Sequence, residues 1–203
     1  MIEDYNPIEE ISSKAQDFSP KDYCSEIPEP TTRDFFCDCE EFETHTALAV
    51  KDFFEWDVQR EPPYAEADIE QRAEYIKEFH DGFALMSGYS DNLCFSEMEP
   101  NNCGAFDSDS KQIDLNTELL HSYNPKDAMI TIMHESRHAF QDFAIEHPDM
   151  VDVDPAKIKE WEDNFKNYIR PELDIEAYNK QPVEVDAEDF ANRMYNIGAS
   201  YAA

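Results

Sequence analysis

Two histidines and a glutamate carry the strongest chemical signal in this sequence. They form the string His134-Glu135-Ser136-Arg137-His138, an H-E-x-x-H pattern that follows the apolar stretch 128–133. On an α-helix, residues four apart lie one above the other, so His134 and His138 point the same way and can bind one metal ion through imidazole nitrogens. Glu135 can then reach a water molecule at the metal without binding the metal itself, which is the position of a general base.

A catalytic zinc site needs a third protein ligand, which must come from elsewhere in the chain. Glu184 and Glu188 lie four residues apart on one face of the last predicted helix, so one can bind the metal while the other orients a ligand histidine. A solvated acidic helix start is the alternative. Because two histidines and one carboxylate are a usual ligand set of hydrolytic zinc, we predict Zn²⁺ held by His134, His138 and Glu184.

The helix that carries the two histidines has its own start and stop signals. Asn124-Pro125 supplies an N-cap followed by proline at the first helical position, and Pro148 prevents the helix from continuing beyond about Glu146. Other apolar periodicities and breakers predict helices over residues 44–58, 65–86, 154–169 and 182–200. A hairpin is predicted over residues 104–116, with its turn at 107–110. We therefore predict an α+β fold that is mainly helical and contains one small sheet.

The charge of the chain excludes several classes of function. The 203 residues include 16 Lys and Arg against 47 Asp and Glu, a net charge of −31. A protein that binds nucleic-acid phosphates or an anionic membrane surface needs an excess of cations, so neither is expected as a direct partner. No secretory signal or membrane span is recognisable, which predicts a cytoplasmic protein with mostly reduced cysteines.

At the metal-binding residues the chain resembles zincin metallopeptidases of the gluzincin type. The string from Glu184 through Ala187-Glu188 to Phe190-Ala191 resembles the ligand helix of ImmA/IrrE-like peptidases. Arg137-His138 with Gln141 is more similar to a set of uncharacterised bacterial and phage-borne zincin-like proteins. The likeness covers about residues 100–195 and implies a zincin-like core with an active-site helix. It also implies that zinc binds through Glu184, as the spacing indicates.

The resemblance implies the remaining parts of a peptidase, here an endopeptidase. The strand Lys111–Asn116, with Ile113 and Leu115, is similar to the edge strand that pairs with an extended substrate in that fold. A Tyr or His normally stabilises the oxyanion of the tetrahedral intermediate. Spacing does not choose among the local candidates, which are Tyr178, Tyr168, Tyr195 and His147, with Glu188 as a further neighbour of the metal.

The acidic first part of the chain leaves alternatives open. Residues 1–90 are predicted to be an acidic N-terminal segment, partly irregular, with one or two helices that pack on a catalytic domain over 91–203. This segment could select basic peptides, which is an electrostatic expectation, or act as an inhibitory pro-segment. A different class of function is an acidic DNA mimic or inhibitor that acts by binding, with the metal site structural or vestigial. Arg137 is expected to form a structural salt bridge with an acid.

Overall fold

The computed structural model describes residues 39–87 and 92–202, which form six α-helices, a short 3₁₀-helix and three strands. The elements in chain order are α1 (Cys39–Asp57), α2 (Ile69–Ser87), β1 (Asn92–Ser96), β2 (Gly104–Asp107), β3 (Gln112–Asn116), the 3₁₀-helix (Thr117–His121), α3 (Lys126–Glu146), α4 (Pro155–Lys166), α5 (Ile175–Tyr178) and α6 (Pro182–Tyr201). The mainly helical α+β class predicted from the sequence is confirmed.

The three strands form one mixed sheet in the order β1-β3-β2. Strand β3 pairs in parallel with β1, from Asn92 opposite Gln112 to Ser96 opposite Asn116. On its other side β3 pairs antiparallel with β2, so the predicted hairpin is confirmed. The turn of this hairpin depends on Asp107, whose carboxylate accepts hydrogen bonds from the backbone N–H and the hydroxyl of Ser110. The middle strand therefore has a partner on both edges.

Helix α3 runs through the centre of the fold, between the sheet and α6. Its fully buried apolar positions follow the helical repeat on either side of the two histidines, which fixes the rotation of the helix about its axis. They are Ala128, Met129, Ile132, Met133, Phe140 and Ala144. The structure begins α3 one residue later than predicted, with Pro125 at the cap position, and the Asn124 side chain accepts a hydrogen bond from the backbone N–H of Lys126.

Helices α1 and α2 belong to the same hydrophobic core as the later elements. The Phe42 ring of α1 stacks on Phe140 of α3 at 5.4 Å between centroids and on Phe190 of α6 at 5.2 Å. Gly198 lets α1 and α6 come together, because a Cβ atom there would lie 2.4 Å from the carbonyl oxygen of Ala47. The helices of 39–87 thus complete this core, and the proposed division of the chain near residue 90 stays a prediction.

The expectations about cysteines, the N-terminal segment and membrane spans have different outcomes. Cys103 is a free thiol, whereas Cys94 takes part in a disulfide bond, so the expectation of reduced thiols holds at Cys103 and fails at Cys94. The first part of the predicted acidic segment, residues 1–38, lies outside the described residues. None of the helices in 39–87 and 92–202 has the length and apolar character needed to cross a lipid bilayer. The cytoplasmic location stays a prediction.

Candidate metal centre

The structure brings His134 and His138 of α3 together with Glu184 of α6. The two histidine Nε2 atoms are 3.1 Å apart. Glu184 Oε2 lies 3.3 Å from Nε2 of His134, and Glu184 Oε1 lies 3.4 Å from Nε2 of His138. With one ligand atom from each residue, the three atoms lie within 4.8 Å of one another. These residues could therefore hold one metal ion.

The donor set fits a metal ion in three respects. Two imidazole nitrogens and a carboxylate suit a borderline divalent cation. Tetrahedral ligands about 2 Å from an ion lie about 3.3 Å from one another, close to the shortest separations found here. Glu184 is only 3% exposed, and within the described part of the chain its Oε2 atom is buried without a hydrogen-bond partner. A buried carboxylate oxygen without a partner is costly unless a cation completes it.

Electrostatics at the site favour a positive charge. Burial alone raises the pKa of Glu184, but the nearby imidazoles of His134 and His138 and the hydrogen bond from Tyr168 outweigh burial and hold that pKa well below its usual range. Burial lowers the pKa of His138, yet the hydrogen bond to Glu184 and the nearby carboxylates raise it to about 8. The metal-free site therefore binds a proton on His138, and a metal ion must displace it.

Tyrosine side chains line the other side of Glu184. The hydroxyl of Tyr168 donates a hydrogen bond of 2.6 Å to Glu184 Oε1. The Tyr178 ring packs edge-on against Tyr168 at 6.2 Å between centroids. Burial, followed by the interactions with Glu184, raises the pKa of both phenols, so each remains a protonated O–H donor. Of the four oxyanion candidates, the structure places these two at the site.

The other predicted neighbours lie farther from the metal-binding atoms. Glu188 Oε2 is 3.7 Å from Nδ1 of His134, which is too long for a hydrogen bond, and its side chain is 63% exposed. Tyr195 packs against Phe54 of α1. His147 follows the last residue of α3, more than two helical turns beyond His138. Glu188 thus lies within ion-pair distance of His134, whereas the described ring contacts of Tyr195 and His147 are with residues other than the ligands.

Glu135 lies beside strand β2. Its side chain is buried, and a Cβ atom placed on Gly104 would lie 3.4 Å from Glu135 Cγ and 2.6 Å from Thr131 Cγ2. Glycine at this position thus allows the strand to approach α3 next to the proposed general base. Gly104 was not predicted from the sequence, although a glycine that opens a predicted strand opposite an H-E-x-x-H helix is a usable signal.

The prediction that an extended substrate pairs with the strand Lys111–Asn116, which is β3, is wrong. Strand β3 has partners on both edges, and Ile113 and Leu115 are fully buried in the core, so β3 cannot add an extended peptide. Among the described strands, β2 has the open edge on this side of the sheet. The sequence could not distinguish the two arms of the hairpin, because the parallel partner β1 was not recognised.

Two contacts of α3 residues complete the surroundings. Nδ1 of His138 forms a hydrogen bond of 2.9 Å with Oε1 of Gln141, three residues further along the same helix face. Arg137 Nε donates to Asp186 Oδ2 at 2.8 Å, which confirms the expected salt bridge. Gln141 contributes to the family resemblance but had no predicted function, although a position three residues after a ligand histidine is a signal for a supporting residue.

Comparisons with family models, with curated proteins and with solved structures find no match for this chain. The resemblance to zincin peptidases therefore stays a prediction that is based on the residues described above.

Proposed function

We propose that the protein is a zinc-dependent peptidase with a zincin-like core. The observation that carries the proposal is the meeting of His134, His138 and Glu184, which lie on two helices and about fifty residues apart in sequence. The acidic composition alone does not account for this cluster, since within residues 39–87 and 92–202 no other three His, Cys, Asp or Glu side chains come together in this way. The ligand set is that of hydrolytic zinc enzymes.

The chemistry is peptide-bond hydrolysis. Bound zinc would acidify a water molecule and polarise the scissile carbonyl. Glu135 takes one proton from the attacking water and delivers it to the leaving amine, so that the carbon–nitrogen bond breaks without a change of oxidation state. The single O–H of Tyr168 is donated to Glu184, so of the two phenols we assign Tyr178, whose ring packs against Tyr168, to stabilise the developing oxyanion.

We assign the substrate to the outer edge of β2. Asn116 N–H bonds to the carbonyl of Cys103, its direct partner in the antiparallel ladder. Because hydrogen-bonded and non-hydrogen-bonded pairs alternate, the backbone N–H and C=O groups of Gly104 and Phe106 point away from β3. An extended peptide can pair with these groups beside Glu135. An edge of this kind binds main chain rather than a chain end, which favours an endopeptidase.

Metal analysis and one substitution test the proposal. We expect about one zinc per chain in protein purified without chelators, and Glu135→Gln should retain this zinc while losing cleavage of an unbiased peptide library. Glu184→Ala should lose zinc, whereas Asp189→Asn, on the exposed face of the same helix, should not. Protein that takes up no zinc on titration would exclude the site. Zinc binding without peptide cleavage, together with a stable complex with a DNA-binding protein, would favour the acidic inhibitor instead.

A further inference from the structure

A buried arginine lies behind the metal centre. Arg137 is 6% exposed, and its guanidinium carbon lies 4.8 Å from the centre of the Phe140 ring, 5.1 Å from that of Phe190 and 5.5 Å from that of Trp161. Its Nε and Nη2 atoms contact the two carboxylate oxygens of Asp186 at 2.8 and 3.4 Å. The aromatic rings and the ion pair together fix the position of the Asp186 carboxylate.

Asp186 in turn fixes the orientation of a buried amide. Gln141 is fully buried, and its Nε2 atom donates to Asp186 Oδ2 at 2.8 Å and to the carbonyl oxygen of Val183 at 3.1 Å. Rotating the amide by half a turn would place Oε1 against these two acceptors, which is repulsive. The Oε1 atom must therefore face the other way, toward His138.

The amide orientation determines which nitrogen of His138 carries the proton. Gln141 Oε1 can only accept, so the hydrogen bond of 2.9 Å requires a proton on His138 Nδ1. In the neutral ring, the lone pair is then on Nε2, the atom that faces His134 and Glu184. A ligand histidine with this tautomer is ready to bind a metal ion.

We propose that Arg137 is a positioning residue for the metal centre, which acts through Asp186 and Gln141 to hold His138 in its metal-binding tautomer. The ion pair with Asp186 thus has a function at the site in addition to its structural one. The proposal rests on the proposed zinc site. It adds a series of contacts behind that site, which begins at the ligand His138 and ends at Arg137.

A double-mutant cycle on zinc affinity tests the chain of contacts. Gln141→Met removes the amide at nearly constant volume and should weaken zinc binding about 10- to 100-fold. The pair Arg137→Met with Asp186→Leu removes the ion pair without leaving an unpaired buried charge, a change that cores often tolerate. It should weaken zinc binding about tenfold. In the Gln141→Met background, the same pair should cause no further loss, because Gln141 transmits the effect.

Two further measurements make the outcome decisive. Long-range ¹H–¹⁵N spectra of the zinc-loaded protein should show a slowly exchanging Nδ1 proton on His138, and its exchange should become fast in Gln141→Met, which lacks the acceptor. Thermal unfolding shows whether each variant folds. If the paired replacement does not fold, Arg137→Lys replaces it in the cycle, because it keeps the charge. Arg137→Lys should weaken zinc binding when Gln141 is present and have no effect in Gln141→Met. Asp189→Asn is the matched control on α6, and it should behave as wild type.

The results separate this inference from the function it rests on. Wild-type protein that binds no zinc overturns the proposed function, and the inference with it. Wild-type protein that binds zinc, together with ion-pair variants that have unchanged zinc affinity and an unchanged His138 Nδ1 proton, overturns the positioning function alone. Full additivity in the cycle does the same, because Arg137 would then act by another route.

Discussion

Gly104→Ala should damage the proposed active site through the strand beside it. The new methyl group would lie 2.6 Å from Thr131 Cγ2 and 3.0 Å from the Asp114 carbonyl oxygen. Ordinary carbon contacts are about 3.5–4.0 Å, so β2 and α3 must separate by about 1 Å. Overpacking of this kind costs about 1–3 kcal/mol of unfolding free energy. A displacement of about 1 Å next to Glu135 can cost about 100-fold in kcat/KM.

The assay compares peptide cleavage, zinc affinity and urea unfolding in the same proteins. Zinc affinity should remain at the wild-type value, because the ligands lie on α3 and α6 and not on β2. Gly82→Ala is the matched control, since a Cβ atom there has no neighbour within 4 Å, and alanine should stabilise α2 by up to about 1 kcal/mol. Adding Thr131→Ser to Gly104→Ala removes the closest clashing atom and should restore part of the activity.

Two results would refute this reasoning. If Gly104→Ala cleaves peptides at the wild-type rate, the close approach of β2 to α3 does not position the substrate or Glu135. If Gly104→Ala and Gly82→Ala lower activity equally, the loss is a general effect of alanine and not of this contact.

Three further predictions follow from the contacts of the site and the core. Tyr168→Phe removes the hydrogen bond to Glu184 and should weaken zinc binding about 10- to 100-fold in a chelator competition, whereas unchanged affinity would show that the hydroxyl does not support the ligand. The folded-state pKa of His138 is raised from 6.5 to about 8, so in metal-free protein its contribution of about 2 kcal/mol is full below pH 6.5 and is lost as the pH rises through 8. Urea unfolding at pH 6 and pH 9 measures that loss. An equal change in unfolding free energy between the two pH values in wild type and His138→Ala would contradict it. Gly198→Ala places a Cβ atom 2.5 Å from Val50 Cβ and should cost about 1–3 kcal/mol in thermal unfolding with zinc affinity unchanged, while unaltered stability would mean that α1 and α6 can separate freely.

Helices with strong local signals could be predicted from the sequence. Asp154 caps α4 through a hydrogen bond from the backbone N–H of Ala156, with Pro155 at the first position, as the sequence indicated. The predicted start of α6 at Pro182 is confirmed. Such signals act between residues a few positions apart, so they are readable without knowledge of the fold.

Strand β1 could not be predicted in the same way. Its string Asn92-Leu-Cys-Phe-Ser96 has a single short apolar run in a stretch rich in turn residues, and only pairing with β3 makes it a strand. The assignment of the substrate strand failed for the same reason, because a strand that gains a second partner changes from an edge strand to a central one. Pairing between distant segments is decided by tertiary contacts rather than by local preference.

The sequence by itself determined that two histidines and a glutamate share a capped helix, because a helical repeat fixes which side chains point the same way. It also determined that Glu184 and Glu188 lie on one face of the last helix. The sequence predicted Glu184 as the ligand, and the tertiary structure gives the physical difference between these two acids. The crossing of α6 over α3 buries Glu184 against the histidines and leaves Glu188 exposed. The packing of helices also selected Tyr168 and β2 for the site, since both depend on distances between segments that the sequence does not specify.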